Sequence, residues 1–456
     1  MSTLDLTLRG QAEAIASGEA DAAELLDSAL ARIEERNPAI NAVVETFPEH
    51  SRQMLDSAPK GPLHGVPIVI KDEWPLPWRA QRFGMAEMLN PPAPAESGPY
   101  RALRDAGAVI VGVANMHEAG ASSTGNLSVY GPARNPWNTE RCPGGSSSGP
   151  AAAVAARLTS GSVGADGIGS IRFPAAYCGL TGLKPTFGRS AMEGHHLADV
   201  TKLIVSGPIC ADAADCRLLG SALFGEELTA GDVAGLRIGV LDGDVVAEDV
   251  APEVREACEE AIAALADASG GAIHRVALPD LDASALAAVL IANGEALGDY
   301  APQRLNELSP ELTPIYRGFA KYRMLLPAAV AAKSALVRTA MRRRLAALFE
   351  GVDVLAWPTV PAVAPPLEAP LVELPSGIMS ADEANVRGAG LANLTGTPAI
   401  SVPVGLDAEG MPIALQLQAA WGRDELLLDA AEALERANGR RWVESLPPLA
   451  AEPTEA

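Results

Sequence analysis

The sequence predicts an α/β protein, with a sheet covered by helices on both faces. Three observations carry that prediction. Short β-rich runs alternate with helical patterns along the chain; several of those runs are apolar without interruption, as in strands buried on both sides; and no Pro- or Gly-rich linker cleanly divides the 456 residues. Length alone would allow more than one domain, but α/β folds often exceed that prior as one unit.

Taken in order, residues 20–36 place apolar positions at helical spacing, with acids near the start, Arg toward the end, and the stop "NPAI" behind them. Strands are expected at 66–70 (VPIVI), 108–114 (AVIVGVA), 236–241 (LRIGVL), 352–357 (VDVLAW), 399–404 (AISVPV) and 413–418 (IALQLQ). Helical patterns lie between them, near 97–107, 149–157, 250–269, 282–297, 327–349 and 422–437. The Pro-dense tract 357–375 reads as a long surface loop, and the Ala/Leu-rich region of about 280–350 as a helical cap over one end of the sheet.

Composition narrows the function. A formal charge of −22, from 57 acidic against 35 basic residues, repels phosphate backbones and anionic bilayers, so neither nucleic acid nor a membrane is an expected partner. The N-terminus shows no basic segment followed by an apolar core, and the expected location is the cytoplasm. Five cysteines without Cys-x-x-Cys spacing imply buried thiols. The pair His195-His196 has no ligand partner at a useful spacing, so no metal site is expected, and no cofactor.

Chemistry is suggested by residues 142–189, where "GGSSSG" precedes Ser170 of "GADGIGSIR". A flexible linker is a poor reading, because "SSSGPAAAVAAR" runs directly into an Ala-rich helix. A serine nucleophile must pass on its proton, yet none of the six histidines stands in a nucleophile-elbow context. Lys71, which ends the apolar run 66–70, is the alternative base: burial penalises an ammonium and so favours the neutral amine. Asp72 would work against this if it pointed inward. Trp74 and Trp78 are either pocket walls or core.

"GPLHGVPIVIKD", "GGSSSG" and "GADGIGSIRFPAAYCGLTGLKPTFGR" resemble, in order and spacing, the amidase signature family. Segments 111–138, 352–359 and 393–418 extend the likeness across most of the chain, and 61–190 carries its core. The resemblance implies one amidase domain over 1–456, a single large unit with a mixed, mostly central β-sheet. It implies hydrolysis of a carboxamide by a Ser-cis-Ser-Lys triad: Ser170 the acylated nucleophile, Ser146 the proton shuttle after a cis peptide with Gly145, and Lys71 the base. It further implies an oxyanion hole at Gly167, Ile168 and Gly169, structural support from Ser147 and from an Asp166–Arg172 ion pair, and an acyl pocket at Gly120 and Ala121. Ile168 departs from the family's glycine. It is expected to project into the site and select slim substrates, the alternative being that it packs beneath the loop.

The leading expectation is thus a stand-alone amidase acting on a small-molecule amide, with a homodimer as an open option. The alternative is the glutaminase subunit of an amidotransferase complex, which passes ammonia to a partner. Chain length and the segment "FGRSAMEGHH" count against that alternative. A binding scaffold without catalysis is the third reading.

Overall fold

The computed structural model describes residues 2–85, 94–195, 203–243, 245–295 and 328–439. Its strands, in chain order, are β1 (Val43–Thr46), β2 (Pro67–Lys71), β3 (Val109–Ala114), β4 (Gly161–Asp166), β5 (Thr181–Lys184), β6 (Val205–Cys210), β7 (Arg237–Leu241), β8 (Ala272–Val276), β9 (Val354–Pro358), β10 (Leu371–Leu374), β11 (Gly377–Ser380), β12 (Ala399–Leu406) and β13 (Pro412–Ala419). Eleven of them form one sheet in the order β1-β3-β2-β4-β6-β5-β12-β13-β9-β7-β8, and β10 and β11 make a separate hairpin. The sheet is mixed: β2 runs parallel to β3 and β4, and β7 to β8 and β9. The centre, from β4 through β6, β5, β12 and β13 to β9, is antiparallel. Thirteen α-helices are found among the described residues, and the α/β class expected from the sequence is the one observed.

All six predicted strands are present, as β2, β3, β7, β9, β12 and β13. The helices match too, with one difference at the first: it runs from Ala22 to Ile40, through Pro38. Asn37 makes this possible. Its side chain accepts from the N–H groups of Ala42 and Val43 and donates to the Val43 carbonyl, so the turn is built three residues beyond the proline, where Asn41 closes the helix at φ +53°. The Pro-rich tract is a loop only between β9 and β10; it lies along residues 140–142, with the Cys142 N–H donating to the Pro365 carbonyl and that of Leu367 to the Glu140 carbonyl.

The main core includes β2 and β3, whose residues Ile68, Val69, Ile70, Val109, Ile110 and Val111 are fully buried. Helix Ser148–Ala155 has every residue buried, which disposes of the linker reading. Trp74 lies in this core and Trp78 packs against it, so packing is what both tryptophans do. A second cluster joins Trp357, Leu391 and Leu394 to the helices Leu281–Glu295 and Ala328–Gly351. Residues 296–327, in the middle of the expected cap, lie outside the described residues, as does His196. The five cysteines are free and buried. No helix of the described residues is long and apolar enough to cross a membrane.

Candidate active site

Neighbouring strands β2 and β4 bring the candidate residues together. Lys71 is the last residue of β2, and the loop 167–170, which ends at Ser170, follows β4. Helix Ser148–Ala155 packs against both strands and presents "GGSS" at its N-terminal end. The Gly145–Ser146 peptide is cis. A side chain at Gly145 would meet the Ser122 carbonyl at 2.7 Å and the Gly125 nitrogen at 2.8 Å, so only glycine lets the two loops approach this closely.

Lys71 Nζ donates to Ser146 Oγ at 2.9 Å, with Lys71 1% and Ser146 2% exposed. Ser170 is half-buried. Among the described residues its hydroxyl makes no hydrogen bond to Ser146; the two serine segments are joined instead by the Ser147 N–H, which donates to the Ser170 carbonyl at 3.2 Å. Relay contacts in unliganded sites are often long and tighten around substrate. Ser147 also ties the loop to β4, its Oγ donating to the Ala165 carbonyl at 3.3 Å and accepting from the Ala165 N–H at 3.4 Å.

Asp166 and Arg172 do meet, both with fully buried side chains, through Nε–Oδ2 at 3.0 Å and an Nη2–Oδ1 hydrogen bond at 3.1 Å. Arg172 also donates to Asn393 Oδ1 and Gln416 Oε1 at 2.6 Å and to the Ala389 carbonyl at 3.2 Å. Burial pushes the Asp166 carboxyl up, but Arg172 beside it, joined by Lys184 and Asn393, more than reverses this and holds it at about 2.

Two expectations for the loop are corrected. The Gly169 N–H, expected in the oxyanion hole, donates to Asp166 Oδ1 at 2.6 Å, leaving the N–H groups of Gly167, Ile168 and Ser170 without an internal partner among the described residues. Gly169 has φ +112°, and a Cβ there would sit 2.3 Å from the Phe173 ring; its task is the turn. Ile168 is half-buried and packs against the second cluster, so it lies on the helical region beneath the loop. It also stays outside the left-handed region of backbone space, which removes the difficulty its β-branch would otherwise raise.

Of the two acyl-pocket residues, Gly120 faces the centre: at φ +66°, its Cβ would be 3.6 Å from Ser146 Oγ. Ala121 is exposed to solvent. His117, three residues earlier, donates its N–H to the Ser146 carbonyl at 3.1 Å, while burial drives its imidazole down to about 4 and keeps it neutral.

The acid beside the lysine is not Asp72, which turns away to Arg79 at 2.7 Å and to the Gly84 N–H at 3.0 Å. It is Glu73, whose Oε2 lies 2.5 Å from Lys71 Nζ in a close ion pair, and whose Oε1 lies 2.6 Å from His195 Nε2. Burial raises this carboxyl, and Lys71 and His195 together outweigh burial to bring it to about 2. Sequence reasoning passed over this pairing. Glu73 had a signal in standing only two residues beyond Lys71, but what brings it back is a turn in which the Trp74 N–H donates to the Lys71 carbonyl; His195, 122 residues distant, had none.

A buried lysine, two serines on facing loops and free backbone donors beside the second define a class: serine-dependent enzymes that work without histidine as base. The comparisons with known proteins give the particular family. The Amidase family model matches residues 24–428, and the chain belongs to that family, hence to the enzymes that act on C–N bonds. It is 32% identical to the A-subunit of the Geobacter metallireducens glutamyl-tRNA(Gln) amidotransferase, across 96% of this chain and 98% of the relative. A crystal structure of an amidase superposes with a TM-score of 0.87 at 31% identity, covering 94% of this chain and 99% of the other. The A-subunit of the Thermotoga maritima glutamyl-tRNA(Gln) amidotransferase gives 0.79 at 25% identity, covering 96% and 95%.

Proposed function

We propose that the chain breaks a carboxamide C–N bond through an acyl ester on Ser170. The observation that carries this is the 2.9 Å hydrogen bond between Lys71 Nζ and Ser146 Oγ in a buried site bordered by the nucleophile loop. With Lys71 in its neutral form, Ser170 Oγ attacks the carbonyl carbon, Ser146 takes the Ser170 proton and gives its own to Lys71. The oxyanion forms beside the Gly167 and Ile168 N–H groups. Collapse returns the proton through Ser146 to the departing nitrogen, which leaves as ammonia or amine. Water then enters, loses a proton by the same route, and releases the acid from Ser170. Asp166, Arg172 and Ser147 hold the loop in place for these steps.

For the fate of the nitrogen, the amidotransferase alternative now takes precedence over the stand-alone amidase. The support is the Geobacter relative, which aligns over 98% of its own length, so chain length does not separate the two readings as expected above. In this form the amide is glutamine and the ammonia goes to a partner. At a net charge of −22 the chain itself is a poor surface for RNA, so the partner carries any tRNA contact. A stand-alone amidase is the second reading, favoured by the closer superposition on the amidase crystal structure, 0.87 against 0.79. The cytoplasm remains the proposed location, in keeping with five free thiols.

The purified chain tests both. Ammonia from glutamine that requires the other components of an amidotransferase supports delivery; turnover of linear, aryl or cyclic amides by the chain alone supports the free amidase. A chain that hydrolyses no amide in either setting, and whose Ser170 resists a fluorophosphonate, overturns the shared chemistry.

A further inference from the structure

The reaction just described uses Lys71 but gives no task to the carboxylate pressed against it. We propose that Glu73 is a positioning residue for Lys71, held in place by His195, and that its charge sets the pH range over which the base accepts protons. The proposal rests on the Ser170–Ser146–Lys71 reading and adds two residues to it.

The geometry is a continuous line. His195 Nε2 lies 2.6 Å from Glu73 Oε1, Glu73 Oε2 lies 2.5 Å from Lys71 Nζ, and Lys71 Nζ lies 2.9 Å from Ser146 Oγ. The side chains of His195, Glu73 and Lys71 are 0%, 5% and 1% exposed, so water does not compete for these contacts. The His195 ring is wedged by Trp74, edge-on at 5.0 Å, and by Phe83 at 5.9 Å. A carboxylate with one oxygen fixed by a wedged imidazole can aim the other. That matters for lysine, whose four-carbon stem leaves its amine many positions; Ser146 is one restraint and Glu73 the second.

Charge gives the arrangement a consequence that packing alone would not. An anion at this range favours the protonated form of an adjacent amine and withholds it as a base. The other charged or titratable groups nearby are placed otherwise. Asp72 is engaged by Arg79, His117 is neutral through burial, and Asp382 is taken up by Ser122 and Ser123. Glu73 is therefore the carboxylate that governs Lys71, and His195 governs how much of its charge Lys71 feels.

The experiment compares the wild-type protein with Glu73→Gln and His195→Phe, following kcat/KM for an amide and the rate of Ser170 modification by a fluorophosphonate across pH. Glu73→Gln keeps the shape and removes the charge, so the acidic limb should move to lower pH by about one unit or more, with reduced kcat at the plateau. His195→Phe fills the space between Trp74 and Phe83 but has no donor for Glu73, so it frees the carboxylate toward Lys71 and the limb should move the opposite way. Circular dichroism and melting temperature establish folding. A folded Glu73→Gln whose limb coincides with that of the wild type overturns the proposal. If that variant does not fold, an unmoved or downward-shifted limb in His195→Phe does the same, and failure of both to fold assigns the pair to fold integrity and defeats it. A wild-type Ser170 that is not modified at any pH, by contrast, defeats the nucleophile assignment itself.

Discussion

Arg172 holds Asp166 with two nitrogens while its remaining donor capacity goes to Ala389, Asn393 and Gln416, so that one guanidinium ties the nucleophile loop to the C-terminal third of the chain. Removing one partner from a buried ion pair leaves the other charge uncompensated, at a cost of about 3–5 kcal/mol. Arg172→Met is therefore expected to lower the melting temperature and remove activity together. Full activity in a stable Arg172→Met protein would show that the loop is held by something else.

Ser170→Ala removes one oxygen from a half-buried position and is expected to abolish acyl-enzyme formation at nearly unchanged stability. Lys71→Met in the same assay should be comparably severe, and the double variant little worse than either, because members of one relay do not contribute additively. Losses that multiply in the double variant would separate the two residues.

Ser146→Ala should harm amides more than esters. An amine leaves poorly without a proton, whereas an alkoxide leaves more readily, and the return of that proton runs through Ser146. Matched amide and ester substrates with the same acyl group give the comparison, and equal losses would deny Ser146 a role in protonating the leaving group.

Ile168→Ala should destabilise the protein by about 1–3 kcal/mol, because a half-buried side chain leaves the second cluster. Rates should fall alike on slim and bulky amides, with no change in preference. A selective gain on bulky substrates without a change in melting temperature would place the side chain in the site after all.

Stability should respond to acid and alkali through different groups. Asp166 and Glu73 are both held at about 2, below their unfolded values near about 4. What they contribute is thus complete above that range and is lost as pH falls from about 4.5 toward 2. Glu435 is the reverse case: burial, with Asp212 nearby, raises it to about 8, so its contribution is lost as pH rises from about 4.5 to 8. Denaturant unfolding across pH reads both slopes, and Glu435→Gln should flatten the alkaline one. An unchanged alkaline slope in that variant would point to another group.

Strands with continuous apolar runs, such as Pro67–Lys71 and Val109–Ala114, were legible because nothing but burial explains such runs. Gly161–Asp166 and Thr181–Lys184 were not, since "GSVGAD" and "TGLK" carry little side-chain pattern and owe their state to the strands on either side. Lys71, Ser146 and Ser170 could be picked out by order and spacing. The direction of Ile168 could not, because it depends on the helices Leu281–Glu295 and Ala328–Gly351, far away in sequence. The same holds for the anchors of Arg172, which lie 217 to 244 residues downstream.

The sheet order places β5 against β12, pairing Leu183 with Ile400. A chain leaving the ribosome has therefore synthesised Lys71, Ser146 and Ser170 long before it can complete the sheet beside them, and Arg172 waits for Gln416 on β13. On the reading proposed above, the serine is made early and its loop is braced late, so a chain truncated before β12 and β13 is expected to lack amide-cleaving activity.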